Sequence, residues 1–492
     1  MQILSPATDK AAGLRLNCLA FPEVLAQSIA LISPTMTAVL IIPLTFSSAG
    51  AGSWLAYLFA TIMLLFVVFN LNQFARRSTS PGSMYAYIGR GLGARGGVIA
   101  GWTLLWSYLF IGIAGMNGFT IFTNQLLSSL GIGITIPPVA FYALSGIICW
   151  FLAYRDIRLS SILTLVLEGL SVIFILGLAG IVLFGHGLTA VVDTSQITLK
   201  GVTLPGLSLG VVACIFSLVG FESATALGHE AKNPLKTIPR AVIWSLILTG
   251  LFFVLMSYVE VAGVRDYKTT LDQISAPLNV LADLYHVSFF KIPLSIGAMI
   301  SFFSLSLSCL NAGARILLPM SRHAVFHPAL GKTHTVNQTP HIAVSAYIAI
   351  MFLVPAVLSL FTDPLTIFNY AGTLAAFGFL LAYFMISIAA PFFLRRKGEL
   401  RPGNIVISAI AILCLLVPTV GSFYPVPPYP VNIFPYIFLG YMVIGIGWLF
   451  VVSRRSRTIL QDIEDDLEAT LQHTEQVHEP EVAPKTVNVA LS

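Results

Sequence analysis

Apolar runs of about twenty residues recur along nearly the whole chain, at approximately 22–47, 53–74, 97–127, 136–154, 160–185, 205–228, 240–263, 288–320, 341–361, 365–393, 404–423 and 432–452. A helix needs about twenty such residues to cross the hydrocarbon core of a bilayer. The recurrence therefore predicts an all-α membrane protein with twelve transmembrane helices. Composition agrees, with 57% hydrophobic residues, 10% charged residues and a mean hydropathy of +0.87, far from the balance of a soluble domain. The net charge of +5 does not indicate nucleic acid, because the basic residues lie in short loops between the runs. Of the 26 Lys and Arg residues, only Lys200, Arg265, Lys268 and Lys291 fall on one side when loops alternate. The positive-inside rule then places both termini in the cytoplasm and the protein in the cell membrane.

Five cysteines, Cys18, Cys149, Cys214, Cys309 and Cys414, are scattered singly, which predicts neither a disulfide framework nor a metal cluster. No cofactor is implied. Met1 to Asn17 is polar, without a small-residue site after a short apolar core, so no cleaved leader is expected.

Two runs are interrupted. The sixth holds Ile215-Phe-Ser-Leu-Val-Gly-Phe-Glu-Ser223 near its centre, and the first holds Ser33-Pro-Thr-Met-Thr-Ala38. Proline removes a helix donor and clashes with the preceding turn. In hydrocarbon such irregular backbone survives only where it lines a cavity or is buried in protein. The first and sixth are corresponding members of two five-run halves, about 22–185 and 205–390. Paired interruptions of this kind predict a 5+5 inverted repeat with broken helices 1 and 6 and a midplane binding site, followed by two more helices. A hydroxyl-stabilised packing kink is the plainer alternative at the first, and a glycine kink with Glu222 bonded to a neighbouring helix at the sixth. The expected organisation is a cytoplasmic N-terminus over 1–21, a transporter core over 22–395, helices 11 and 12 over 396–453, and a cytoplasmic tail over 454–492.

Carboxylates inside apolar runs are costly and point to function. Glu222 follows the sixth-run interruption. Glu168 lies about ten residues past Arg158, hence roughly 15 Å along its helix. Each is assigned to coupling or gating, with a buried hydrogen bond as the alternative for Glu168. In the eighth run Ser301, Ser304 and Ser308 share a helical face and Ser306 does not. His229, His323, His327, His334 and His341 read as loop residues. After Trp448 comes a basic cluster including Arg454, Arg455 and Arg457. Ile459, Leu460, Ile463, Leu467 and Leu471 then recur at helical spacing, which predicts an amphipathic helix. Beyond His478 the composition reads as disordered. Asn233-Pro234 is expected to end the sixth helix, and Pro239 to occupy the first turn of the seventh.

Glu230-Ala-Lys-Asn-Pro-Leu-Lys-Thr-Ile-Pro-Arg240, directly after Val219-Gly-Phe-Glu222, resembles the sixth-span signature of the amino acid–polyamine–organocation transporter superfamily. Ser80-Pro-Gly-Ser-Met-Tyr-Ala-Tyr87, Gly101-Trp102 and Arg315 through Pro328 with Thr339-Pro340 are similar to further family elements. The resemblance covers about residues 20–395. It implies a secondary transporter of a small amine-bearing solute, an amino acid first, with no enzymatic activity. It implies that Pro34, Thr35, Met36, Thr37, Ala38, Phe216, Ser217, Val219 and Gly220 bind substrate. Carbonyls of Pro34, Phe216 and Val219 would take the ammonium, Thr37 with neighbouring amides the carboxylate, and Phe216 would form a lid.

Met36-Thr37-Ala38 stands where many members have Gly-Ser-Gly, which leaves a polyamine or γ-amino acid open as substrate. Proton symport is expected, although some proton-coupled relatives carry lysine near Glu168. By the same resemblance Ser301, Ser304 and Ser308 are candidate sodium ligands, and sodium symport and amino acid exchange stay open. A membrane-embedded enzyme is the remote alternative, and a channel is disfavoured because no pore-lining ring repeats.

Overall fold

The computed structural model describes residues 13–78, 82, 84–132, 136–155, 157–185, 192–265, 267–274, 276–424, 426–455 and 458–478. Ser80, Pro81 and Ser83 of the post-second-run element, Arg457, residues 1–12 and the tail beyond His478 lie outside them. The described chain is helical and contains no strand. A lone parallel bridge pairs Leu19 with Ala231.

The first half runs α1 (Phe21–Ile32), α2 (Pro34–Met36), a π-helical turn (Thr37–Ile41), α3 (Ile42–Ala49), α4 (Ser53–Ala75), α5 (Met84–Ser129), α6 (Pro138–Arg155) and α7 (Ile157–Gly185). After the short α8 (Thr194–Ile197) come α9 (Leu204–Leu218), a 3-10 turn (Phe221–Leu227), α10 (Pro234–Gly263), α11 (Pro277–Leu284), α12 (Lys291–Arg322), α13 (His341–Leu358) and α14 (Pro364–Arg396). The chain closes with α15 (Pro402–Gly421), α16 (Phe434–Arg455) and α17 (Ile459–His478). Among the described residues, eleven helical runs are long and apolar enough to cross a membrane, the first being the 55-residue run Phe21–Ala75.

At the centre, α5 packs between α12 and α14. Water expulsion does not drive helices together inside lipid, so close approach depends on small residues. Gly112, Gly115 and Gly118 form such a stripe on α5. A β-carbon on Gly115 would stand 2.4 Å from Ser306 Oγ, and one on Gly118 would stand 2.2 Å from Phe302 Cδ1. The stripe lets α12 come to backbone contact.

The seventh helix corrects one expectation. Pro234, not Pro239, occupies its first turn, and Pro239 lies inside it. Asn233 takes a left-handed conformation, φ 46°, just before the helix. Pro234 can then start the helix where its missing N–H costs nothing.

Candidate functional site

The first helix stops at Ser33, a non-glycine residue with φ 53°, and helix resumes at Pro34. The sixth stops at Val219, which is extended, and Gly220 has φ 101° before the 3-10 turn begins. Side chains stitch the two departures together. Ser28 Oγ donates to Phe221 O (2.7 Å) and accepts from Ala224 N (3.0 Å). Ser223 Oγ donates to Gln27 O at 3.3 Å, and Gln27 Nε2 donates to Ser308 O at 2.9 Å. All three side chains are buried. These bonds satisfy polar groups that the two departures from regular helix would otherwise leave unpaired.

Glu168 projects from α7 against the start of α2. Its Oε1 accepts from Thr35 N (3.4 Å) and Thr35 Oγ1 (3.2 Å), while Oε2 has no partner among the described residues. Thr35 Oγ1 also meets Ser171 Oγ at 2.7 Å, and Ser33 Oγ meets Ser301 Oγ at 3.0 Å. A β-carbon on Gly297 of α12 would stand 2.7 Å from Ser171 Oγ, so glycine there brings α12 against α7. Helices α1, α7 and α12 thus meet around one carboxylate and four hydroxyls. A cavity of ≈ 430 Å³ bordered by Pro34, Thr164, Val172, Thr249 and Phe252 reaches Glu168 from the apolar side.

Glu222 is held differently. Tyr108 of α5 donates to its Oε1 at 2.8 Å, and Tyr383 of α14 donates to its Oε2 at 2.6 Å. Gly220 N donates to the same Tyr383 oxygen at 3.2 Å. Both oxygens are engaged, and the group ties two helices, α5 and α14, to the irregular turn.

The remaining sequence candidates divide. Met36, Thr37 and Ala38 are buried beside Pro34 and Thr35, and the Thr37 hydroxyl has no partner among the described residues. Phe216 packs its ring end over Gly372 of α14, where a β-carbon would stand 2.3 Å from Cζ. Ser217 points elsewhere, to Ala213 O (3.4 Å) and the Tyr57 hydroxyl (3.4 Å). Ser304 and Ser308 hydroxyls are buried without a partner among the described residues, while Ser306 donates to Phe302 O (3.1 Å) and Gly112 O (3.3 Å).

Several residues emerge only here. Tyr108 and Tyr383 carry no sequence signal beyond being tyrosines in apolar runs. Glu260, near the end of α10, is a further buried carboxylate, with neither oxygen partnered among the described residues. Arg315 forms a bidentate pair with Glu230, 2.7 Å to each oxygen, both side chains 1% exposed. Cys18 N and Leu19 N donate to Glu230 O at 2.8 and 2.9 Å, so the N-terminal segment straps the pair. His323, read from sequence as a loop residue, ends α12 and contacts Tyr85 and Asp466.

The family model for amino acid permeases matches residues 23–463. The branched-chain amino acid permease BcaP of Bacillus subtilis (strain 168) is 25% identical over 449 residues, covering 84% of this chain and 88% of that one. The low-affinity putrescine importer PlaP of Escherichia coli (strain K12) is 24% identical over 351 residues, 70% of this chain and 74% of the importer. Cationic amino acid transporter 4 of Mus musculus is 26% identical over 351 residues, 67% of this chain and 53% of the transporter. An all-helical chain with many membrane-length helices and a match over almost its full length leaves one assignment: this multi-pass membrane protein belongs to the amino acid permease family.

Proposed function

We propose that this permease imports an amino acid with a small apolar side chain across the cell membrane, by proton symport. The observation that carries the reading is Glu168, with one oxygen unpartnered among the described residues, set against the helix start at Pro34–Met36. A helix start offers amide donors and positive dipole to a carboxylate. The substrate's carboxylate would take the Thr37 hydroxyl with neighbouring amides, the Thr35 amide being held by Glu168, and its ammonium the carbonyls of Pro34, Phe216 and Val219. Phe216 covers the site. Ser217 faces Tyr57 and contributes backbone only, while Gly220 allows the turn. Met36, Ala38 and Phe216 make the walls apolar, which suits an aliphatic side chain. The similarity to a branched-chain amino acid permease supports this class.

In this reading the 55-residue run Phe21–Ala75 crosses twice, since at 1.5 Å per residue it spans roughly 80 Å against a ~30 Å hydrocarbon core. That gives twelve crossings, arranged as two inverted sets of five plus two, with both termini in the cytoplasm. Glu168 carries the proton, loading and releasing it as its solvation changes. Glu222, with both oxygens held by tyrosines, sets the shape of the broken sixth helix and gates it.

A second reading is putrescine-like substrate, favoured by the unpartnered Glu168 oxygen as counter-charge and by the similarity to a putrescine importer. Purified protein in liposomes, tested for uptake of valine, leucine, γ-aminobutyrate and putrescine under an inward proton gradient, separates them. Concentrative uptake of the aliphatic amino acids is expected. Putrescine uptake alone selects the second reading, and uptake of none of the four sinks both.

A further inference from the structure

A polar group buried within a membrane helix needs a partner, and where the protein supplies none a ligand can. Glu168 is such a group, and it borders a cavity. It is 2% exposed, its Oε1 is engaged by Thr35, and its Oε2 has no partner among the described residues. The cavity measures ≈ 430 Å³, within the range of small-molecule sites, about 300–1,000 Å³.

The rest of the wall cannot supply the missing donor. Pro34 has no N–H. Thr164 donates its hydroxyl proton to Ser161 O at 2.9 Å, and Thr249 donates to Ser245 O at 2.6 Å, each within its own helix. The other lining residues are apolar. When the Glu168 carboxyl is ionised, a donor to Oε2 therefore has to come from whatever fills the cavity.

The cavity opens sideways. Leu176 of α7 and Leu248, Leu251 and Leu255 of α10 line it and are between 37% and 58% exposed. All four lie inside helices of membrane-spanning length, so their exposed faces meet hydrocarbon. Gly169, next to Glu168, borders the same space, and a β-carbon there would find no atom within 4 Å. An apolar body entering between α7 and α10 thus meets a carboxylate at its inner end.

We propose that this cavity binds a lipophilic amine that arrives through the bilayer, its ammonium on Glu168 Oε2 and its chain along the leucines. A charge is costly at that depth, so the amine enters neutral. It takes the proton of the protonated Glu168 carboxyl, leaving one ammonium and one carboxylate, with protons and charge balanced. A bilayer aminolipid does not fit, since its headgroup would have to leave the interface for a point roughly 15 Å along α7. Thr37 and Phe216 do not border the cavity, so the amine competes with the proton of Glu168 rather than with the amino acid. Binding rests on the contacts alone, while the block on proton coupling rests on the proposed function.

The test uses full-length protein in nanodiscs of zwitterionic lipid and radiolabelled dodecylamine, read by scintillation proximity with empty nanodiscs subtracted. Saturable binding is expected, displaced by unlabelled dodecylamine and at least tenfold less well by dodecanol, which has the same chain and no charge. Glu168→Gln removes the acid that pairs with the amine, and Gly169→Leu fills the cavity. Each is expected to weaken binding at least tenfold at an unaltered unfolding temperature. In liposomes, dodecylamine is expected to stop proton-driven leucine uptake by the unsubstituted chain at concentrations that leave Gly169→Leu active. That comparison separates occupancy of the site from collapse of the gradient by the amine itself.

No saturable binding, or displacement by dodecanol as strong as by the amine, overturns the site, since the cavity then holds any apolar chain. Undiminished binding to Glu168→Gln or to Gly169→Leu places the amine elsewhere and overturns it too. The dodecanol comparison needs no substitution, so it decides even where a variant fails to fold. Equal inhibition of both chains overturns the block on coupling. Should the unsubstituted chain move no amino acid or amine, the proposed function falls separately, and the binding measurements still decide the site.

Discussion

Leu31 occupies the space that a side chain on Gly220 would need: its Cδ2 lies 2.0 Å from where a β-carbon would stand. The two helix departures are therefore in direct contact through a residue with no side chain. Gly220 also has φ 101°, a conformation costly for any residue with a β-carbon. Gly220→Ala combines that backbone strain with overpacking of a buried site, together about 2 kcal/mol or more. We expect a clear fall in unfolding temperature and loss of uptake. Unaltered stability would mean that the two helices slide freely past each other.

Tyr383 and Tyr108 both donate to Glu222, but Tyr383 also accepts from Gly220 N. Tyr383→Phe removes two hydrogen bonds and Tyr108→Phe one, at about 1–3 kcal/mol each where a buried partner is left unpaired. Thermal unfolding should rank the variants with Tyr383→Phe clearly the less stable. Equal losses would show that the Gly220 bond contributes nothing.

Hydropathy reveals the helical membrane class because each crossing must pair its own backbone, a property of the local sequence. Glu168 and Glu222 are legible for the same reason, since a carboxylate in an apolar run needs an explanation. Their partners are not. Tyr108 lies 114 positions and Tyr383 161 positions from Glu222, and a tyrosine in a membrane helix looks like packing. Arg315 reads as a marker of topology until Glu230, 85 positions away, is seen to bury it in a bidentate pair. From sequence Pro239 reads as the start of its helix because Asn233-Pro234 reads as the end of the one before, and only the left-handed conformation of Asn233 decides for Pro234. Pairings across distant helices depend on the packing, which no local pattern records.

Glu168→Gln keeps the shape and the Thr35 contact while removing the proton-binding group. If Glu168 couples transport to protons, this variant loses uptake against a gradient but retains exchange of internal for external substrate. Uptake driven by sodium at constant pH and indifferent to Glu168→Gln would move the coupling role to Ser301, Ser304 and Ser308.

The seating of Phe216 on Gly372 separates a lid from ordinary packing. A β-carbon on Gly372 would lie 2.3, 3.0 and 3.1 Å from Cζ, Cε2 and Cε1 of the ring, all at the far end of a side chain with two rotatable bonds. The ring can turn away while the backbone of α9 stays in place, so Gly372→Ala should cost little stability, about 1 kcal/mol or less. If Phe216 covers bound substrate, its displacement should appear in affinity, raising the half-saturating concentration about fivefold, or roughly 1 kcal/mol of binding. Phe216→Leu in the Gly372→Ala background removes the clash and should recover part of that loss. Half-saturation unchanged by Gly372→Ala would leave Phe216 as a packing residue outside the substrate path.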